Sequence, residues 1–423
     1  MRMNISGLNI LVVMLSILEL APSCIKDKIT KTYSILTPVY ESKANVLANI
    51  KTGTPENIKS PGKIYLYGQY IFLNEIDKGV HVINNANPAK PVNLGFIDIP
   101  GNLDIAVKGN TLYADFYADL VAIDISNPRQ AKFSSLLAHM FPDRQYANGF
   151  VADTTQIIID WIKKDTTIDI SAGQGNGGWI NCRACLFMSS TLPGTADGSK
   201  SAVSVPGIAG SMSRFAVVND YLYAVNNSTL ESISISDALN PQMVKSDNVG
   251  WNIETIFPFK EKLFIGSSNG IFIYDIGNPS SPERKGNFEH VRACDPVIAD
   301  DNYAFVTLRS GTKCQGYTNQ LDILDVTNLY SPSKVKTYEM TNPHGLSKDG
   351  NILFICDGKE GLKVYDASNV LDLKLLDHLK EMDTYDAIAW NKKLILVTSK
   401  GIRQYDYSDI KAIRLLSTIS INQ

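Results

Sequence analysis

One turn signature recurs roughly every 40 residues, and it constrains the fold more than any other feature of the chain, because repeats of that length are typical of β-propeller blades. Each copy has Asp or Asn, two further residues and a second Asn or Asp, often followed by Pro. The copies are Asn84–Pro88, Asp124–Pro128, Asp237–Pro241, Asp275–Pro279, Asp325–Asn328, Asp366–Asn369 and Asp406–Asp409. The signature side chains are predicted to cap their own turns, which is a structural role.

Short apolar runs rich in Val, Ile, Leu and Tyr precede the turns, as in Leu112–Ala114 and Leu120–Ile123. Such runs predict strands. A small sheet cannot cover its own faces, so the repeats are expected to stack into a closed ring. We therefore predict an all-β chain, a β-propeller of seven four-stranded blades over residues 56–423, with an insertion at about 145–208. An eighth blade inside the insertion is the architectural alternative.

Two units, Leu120–Pro128 and Ile271–Pro279, resemble the LVIVD repeat of bacterial secreted proteins and lipoproteins. The resemblance extends over about residues 60–145 and 210–420. It implies a β-propeller and says nothing of a reaction. The chain departs from the pattern at Asp409, which replaces Asn, and at Leu329 and Val370, where the proline is lost, and these departures concern only turn detail.

The N-terminal residues predict export and a lipid anchor. Met1–Met3 carries one positive charge, and Ile10–Leu18 is an apolar run too short for a membrane span of about 20 residues. Ala21–Cys24 resembles the lipobox of a bacterial lipoprotein. Residues 1–24 are thus expected to be a signal peptide ending at the lipidated Cys24, and residues 25–55 a tether and lead-in. The expected location is the bacterial cell envelope, at the outer membrane; a plain secretion signal is the alternative.

Export to an oxidising compartment favours disulfides. Besides Cys24 the chain has an odd number of cysteines, so one of them lacks a disulfide partner. Cys294 and Cys314 flank a predicted strand pair and could meet. Cys182 and Cys185 form a CxxC in the insertion, which is interpreted as a local staple. A zinc site is disfavoured because nothing nearby completes four ligands, and a thioredoxin-like role because no βαβ pattern surrounds the pair.

Polar residues recur where an inner strand of each blade should begin, at a position that burial would make apolar. Converging polar groups at the mouth of an apolar ring are a default ligand site. The alternative is that they solvate a wet channel and pair with one another. The candidate ligand-binding residues at the channel mouth are Asp104, Arg214, Glu254, Asp295, His344 and Asp386, joined by Arg309 and Asp357 near the ends of second strands.

Composition gives no support for nucleic-acid binding, because 40 basic and 43 acidic side chains leave a net charge of −3, whereas such proteins usually carry a basic excess. The predicted function is a ligand-binding or protein-interaction scaffold for a protein or glycan. The alternative is a carbohydrate-active or other hydrolytic enzyme that uses carboxylates such as Glu254 and Asp295. No catalytic residue, cofactor or metal site is assigned, and Gly266–Gly270, which matches GxSxG, is interpreted as a hairpin turn. Calcium is the metal that such oxygen ligands would suit.

Overall fold

A computed structural model of the protein describes residues 30–142, 144, 155–169, 186–187, 208–290, 296–311 and 318–421. It confirms the all-β prediction and the β-propeller of seven four-stranded blades. Cys24, Cys182, Cys185, Cys294, Cys314 and Asp295 lie outside the described residues. Within the described part of the chain, no helix has the length and apolar character needed to cross a bilayer.

The first elements precede the ring, and the first two blades follow directly. The leading elements are β1 (Thr30–Ser42), α1 (Lys43–Asn49) and β2 (Thr52–Gly53). Blade 1 consists of β3 (Pro61–Tyr67), β4 (Tyr70–Glu75), β5 (Gly79–Asn84) and β6 (Val92–Asp98). Blade 2 consists of β7 (Ile105–Lys108), β8 (Thr111–Phe116), β9 (Asp119–Asp124) and β10 (Lys132–Leu137), with a 3₁₀ turn at Pro128–Gln130.

Three strands come from the region of the insertion, and five blades complete the ring. The three are β11 (Gln156–Asp169), β12 (Leu186–Phe187) and β13 (Ile208–Ala209). Blade 3 has β14 (Phe215–Val218), β15 (Tyr221–Val225), β16 (Thr229–Ser234) and β17 (Gln242–Asn248), and blade 4 has β18 (Ile253–Phe259), β19 (Lys262–Ser267), β20 (Gly270–Asp275) and β21 (Glu283–Glu289). Blade 5 has β22 (Val297–Ala299), β23 (Tyr303–Leu308), β24 (Gln320–Asp325) and β25 (Ser333–Glu339). Blade 6 has β26 (Leu346–Asp349), β27 (Ile352–Cys356), β28 (Leu362–Asp366) and β29 (Lys374–Leu379), and blade 7 has β30 (Thr384–Trp390), β31 (Lys393–Thr398), β32 (Gly401–Asp406) and β33 (Arg414–Ser420).

The recurring Asx residues cap their turns, as predicted. In each blade the side chain that opens the signature accepts the backbone N–H two residues later, at 2.8–3.3 Å. Asp124, for example, accepts from Ser126 at 2.8 Å, and Asn127 accepts from Arg129 at 3.2 Å. These bonds satisfy donors that lie just beyond the third strand of the blade, where the ladder has ended.

Last and first blades pack directly and close the ring. One apolar cluster joins Ile64 and Ile71 of blade 1 to Ile388 and Ile395 of blade 7. Asn85 and Gln404 exchange side-chain amide hydrogen bonds of 2.7 and 2.9 Å across the same junction. A closed ring leaves only short sheet edges for solvent to reach.

Blade 1 is wider than the other blades, because β13 pairs with β3 on its inner edge and β2 pairs with β6 on its outer edge. β13 opens a segment, Ile208–Ser213, that we call the axial segment. Its described side chains are buried. The sequence contains no repeat signature here, so the ring's centre was expected to be a channel and not to hold this part of the chain.

The axial segment makes hydrogen bonds to the inner strands of several blades. Ser211 Oγ accepts the backbone N–H of Leu346 at 2.8 Å in blade 6 and lies 3.4 Å from an Asp386 oxygen in blade 7. Lys63 Nζ in blade 1 donates to the carbonyl of Met212 at 3.2 Å, and the N–H of Ile256 in blade 4 donates to the carbonyl of Ser213. A segment that reaches the inner edges of four blades runs along the axis of the ring.

Outside the propeller, the chain forms a small second unit. Its described residues are 30–39, 160–169 and 186–187, and the described residues of 40–159 and 208–421 belong to the unit that holds the blades. The three-stranded sheet β11-β1-β12 belongs largely to it. β1 lies in the stretch assigned to the tether, and its Thr, Tyr, Ile and Val residues are strong strand formers.

Gly210→Ala tests the packing of the axial segment. A Cβ built on Gly210 overlaps the Asp386 carboxylate, so we expect the substitution to lower the free energy of unfolding by about 1–3 kcal/mol. Gly311→Ala is the control, because a Cβ there has no atom of the described chain within 4 Å, and it should change stability by less than about 0.5 kcal/mol. Urea titrations measure both values. Equal stability of the two variants would contradict the packing described.

Candidate functional site

All described candidate residues lie on one face of the ring, which we call the mouth face. In each blade the inner strand is antiparallel to the second strand, so the start of one lies beside the end of the other, as with Ile105 opposite Ala114. Five of the predicted residues stand at the starts of inner strands and two follow second strands. They are Asp104, Arg214, Glu254, His344 and Asp386 in the first group, and Arg309 and Asp357 in the second.

Asp104 is a buried anchor between three blades. Its carboxylate lies 3.2 Å from Lys63 Nζ of blade 1 and accepts the N–H of Arg214 of blade 3 at 2.9 Å. The N–H of Ile105 donates to its other oxygen at 2.8 Å. Burial raises the pKa of Asp104, and the nearby Lys63 ammonium opposes that rise. With 1% of its surface exposed, Asp104 holds the mouth together beneath the surface that a ligand could touch.

Asp115, at the end of β8, is a second buried carboxylate that the sequence analysis missed. One oxygen accepts the N–H groups of Leu103 and Asp104 and the side-chain amide of Asn102, each at 2.8 Å. The other oxygen pairs with Arg144 at 2.5 Å. An acidic residue at the end of a second strand is the signal that had singled out Asp357, and the same rule applied to blade 2 would have found Asp115.

Arg214 is held at the mouth by its backbone, and its side chain is only partly buried. Burial lowers the pKa of Arg214, and the charge of Arg144 lowers it further, while Asp104, Asp115 and Glu254 raise it. Its Nε is shielded from solvent, and the guanidinium donates no hydrogen bond to any described residue. The side chain therefore lies among charges without a direct partner in the described chain, which costs free energy unless something else binds it.

A second polar group lies in blade 6. The carboxylate of Asp357 accepts the N–H groups of Thr341 and Asn342 at 3.0 and 2.7 Å and pairs with Lys363 at 2.5 Å. Those bonds fix the loop that carries His344. Asp357 is fully buried, so it positions this loop and is out of reach of a ligand.

His344 is a neutral, buried ring. Its Nε2 accepts from Asn342 Nδ2 at 3.2 Å, so the ring proton is on Nδ1, and its edge packs on Tyr385 with centroids 5.5 Å apart. Burial, helped by the charge of Arg309, lowers the pKa of His344 to about 3, and the charge of Asp357 opposes the shift. His344 is thus a donor or acceptor at neutral pH and not a cation.

Asp386 contacts the axial segment at Gly210 and Ser211. The N–H of Ala387 donates to its carboxylate at 2.9 Å, and both Gly210 and Gly345 approach it so closely that neither position has room for a Cβ. It is 3% exposed. Lys63 fills the corresponding place in blade 1, for which the sequence analysis names no candidate.

The structure therefore brings Asp104, Arg214 and Glu254 together with the unpredicted Lys63, Asp115 and Arg144. It places Arg309, His344 and Asp357 in another group. Among the described residues, no set of three or more His, Cys, Asp or Glu side chains is arranged to hold a metal ion. The suitability of calcium stays a prediction, as does the ligand role of Asp295.

The chain is a seven-bladed β-propeller, and comparison with known proteins agrees with this fold. The LVIVD repeat matches residues 102–134 and 263–290, which confirms the resemblance carried by blades 2 and 4. No curated protein matches the sequence.

Two solved structures show the same fold at low sequence identity. A protein from Lactobacillus plantarum is 12% identical with a TM-score of 0.52, and the match covers 92% of this chain and 97% of that one. The periplasmic gluconolactonase PpgL of Pseudomonas aeruginosa is 10% identical with a TM-score of 0.53, over 93% of this chain and 97% of that one. Identities this low bear on the fold alone.

The burial of His344 predicts a pH dependence of stability. The unfolded chain takes up a proton near pH 6.5 that the folded ring accepts only near pH 3, so stability falls as the pH drops through this window. In His344→Asn the titration is absent. The free energy of unfolding of the wild type minus that of the variant should therefore fall by about 1.4 kcal/mol for each pH unit as the pH is lowered from roughly 6 to 4. Urea titrations at several pH values measure it, and a pH-independent difference would show that the ring is accessible.

Proposed function

We propose that this protein is an exported, lipid-anchored β-propeller of the bacterial envelope that binds a ligand at its mouth face. The fold supports a binding scaffold, and the N-terminal sequence ending at Cys24 supports the anchor at the outer membrane. The ligand is a small molecule, a glycan or a segment of another protein.

The proposal depends on a difference in burial among the charged residues of the mouth face. Asp104, Asp115, Asp357 and Asp386 are buried and bonded to backbone N–H groups or cations of the protein. They fix the shape of the mouth. Among the described candidates, Arg214, Glu254 and Arg309 are only partly buried, so a ligand could reach these charged groups. Buried anchors beneath a few accessible polar groups make a preorganised binding surface.

The position of the axial segment supports a ligand site on the mouth face and not inside the central channel of the ring. Ser211, Met212 and Ser213 are buried and bonded to the inner strands. A ligand that enters the mouth would stop above this segment. It would meet the starts of the inner strands and the loops between blades.

The hydrolytic alternative asks for two carboxylates that reach the substrate. Four of the mouth's carboxylates are too deeply buried for that contact. Glu254 is the accessible one among the described residues that were predicted. This distribution favours binding over hydrolysis, and product analysis separates the two.

The binding proposal is tested by thermal shift of the full chain against panels of oligosaccharides and peptides. We expect a stabilising ligand whose effect is lost in Arg214→Gln and Arg309→Gln, because both remove accessible charge from the mouth face. Lys260→Gln is the control, an exposed lysine in the turn that follows β18. Ligands that stabilise all variants alike would place binding elsewhere.

Product analysis of each ligand then tests for turnover. Unchanged ligand after long incubation is expected. Cleavage that stops in Glu254→Gln would overturn the binding-only view and establish the hydrolytic alternative.

The anchor is tested by Cys24→Ser in a bacterial host. Wild type should incorporate labelled fatty acid and sediment with outer membranes, because two or three acyl chains suffice for stable anchoring. The variant should carry no label and leave the membrane fraction. A variant that stays in the outer membrane without the label would contradict the lipid anchor.

A further inference from the structure

We infer that the mouth between blades 3 and 4 binds a carboxylate-bearing sugar, with Arg214 pairing with the carboxylate and Trp251 packing on the apolar face of the sugar ring. The inference rests on the proposed function and names its ligand class. Three observations carry it: an arginine without a direct partner in the described chain, an exposed tryptophan on a braced loop, and a buried hydroxyl without a partner.

Arg214 has the charge that a carboxylate needs. The two nearest buried carboxylates have other cations, since Lys63 lies 3.2 Å from Asp104 and Arg144 lies 2.5 Å from Asp115. Arg214 approaches Asp104 through its backbone N–H and not through its guanidinium. The guanidinium therefore keeps its donors, and its planar fork matches a carboxylate in two parallel hydrogen bonds.

Trp251 is 74% exposed and lies three residues before Glu254, on the loop between β17 and β18. The loop is braced on blade 3, where the N–H of Ile253 donates to Asn227 at 3.0 Å and that of Val249 to Ser228 at 2.9 Å. An exposed tryptophan on a fixed loop offers a flat apolar face on which a sugar ring can pack.

Ser268 lies on the other side of this loop, and its N–H donates to the carbonyl of Asn252 at 3.0 Å. It is 5% exposed, and its Oγ has no hydrogen-bond partner. The two turns that flank the loop, Asn226–Ser228 and Ser267–Asn269, contain only amides and hydroxyls. Such groups exchange hydrogen bonds with sugar hydroxyls without adding charge.

These groups favour an acidic sugar over an acidic peptide. Acidic and phosphorylated peptides are recognised by clusters of arginines. Here Arg144 is bound to Asp115, so Arg214 supplies a single guanidinium, and Glu254 is a further carboxylate near it. The turns on either side of the Trp251 loop add only uncharged groups. One carboxylate, one apolar ring face and several hydroxyls are what a uronic acid unit presents.

Calorimetry with tetragalacturonate and its methyl ester tests the inference on the full chain. The two probes share hydroxyls and ring faces and differ in charge. We expect wild type to bind the acid at least about 10-fold more tightly than the ester, because hydrogen bonds to charged groups are the stronger ones. Arg214→Gln should abolish that preference.

Trp251→Ala should weaken both probes by a similar factor, about 10-fold, since the ring contacts the uncharged part of the sugar. Trp390→Ala is the matched control, because Trp390 is a partly exposed tryptophan at the opposite end of an inner strand. It should change neither affinity. Trp251 is mostly exposed, so its variant reports on binding even if Arg214→Gln fails to fold.

Equal affinity of wild type for acid and ester, or a preference that persists in a folded Arg214→Gln, would overturn the inference. Binding of a glutamate-rich peptide that depends on Arg214, with no binding of tetragalacturonate, would overturn it while the proposed function stands. Ligands of any class that bind independently of the mouth residues would refute both.

Discussion

The packing of each blade's apolar face against its neighbour is the interaction on which everything else depends. Leu263 and Ile265 of blade 4 lie in one cluster with Tyr223 and Val225 of blade 3, and similar clusters join later blades. Burying one such side chain contributes about 1.5–3 kcal/mol. Four strands cannot bury both of their faces alone, so only a closed ring completes the core and sets the inner strands where polar side chains converge.

Much of the fold could be predicted, because its signals are local. Asp124 and Asn127 cap a turn with donors two residues away, so their role is readable from the sequence and recurs with every blade. The period of those turns fixed the number of blades. Short apolar runs such as Leu120–Ile123 gave the strands between them.

The mouth could be predicted only in part. Their positions along the repeat identified Asp104 and Arg214. Their partners come from other blades, as Lys63 does for Asp104, and no local sequence pattern predicts contacts between blades. Burial divides the candidates further: Asp357 and Asp386 are buried and position their surroundings, whereas Arg214 is only partly buried. The axial segment was missed for the same reason, because Ile208–Ser213 has no repeat to place it.

The axial segment also bears on the order of assembly. Ser211 is 135 residues before Leu346 and 175 before Asp386, yet it bonds to the first and contacts the second. A chain emerging from the ribosome cannot make the first contact until the inner strand of blade 6 has been synthesised, or the second until that of blade 7 has followed. Contacts between such distant residues form slowly, because a long loop must first be closed. The contacts of the axial segment with blades 6 and 7 therefore form last, and the centre of the nascent ring stays incomplete until those blades are present.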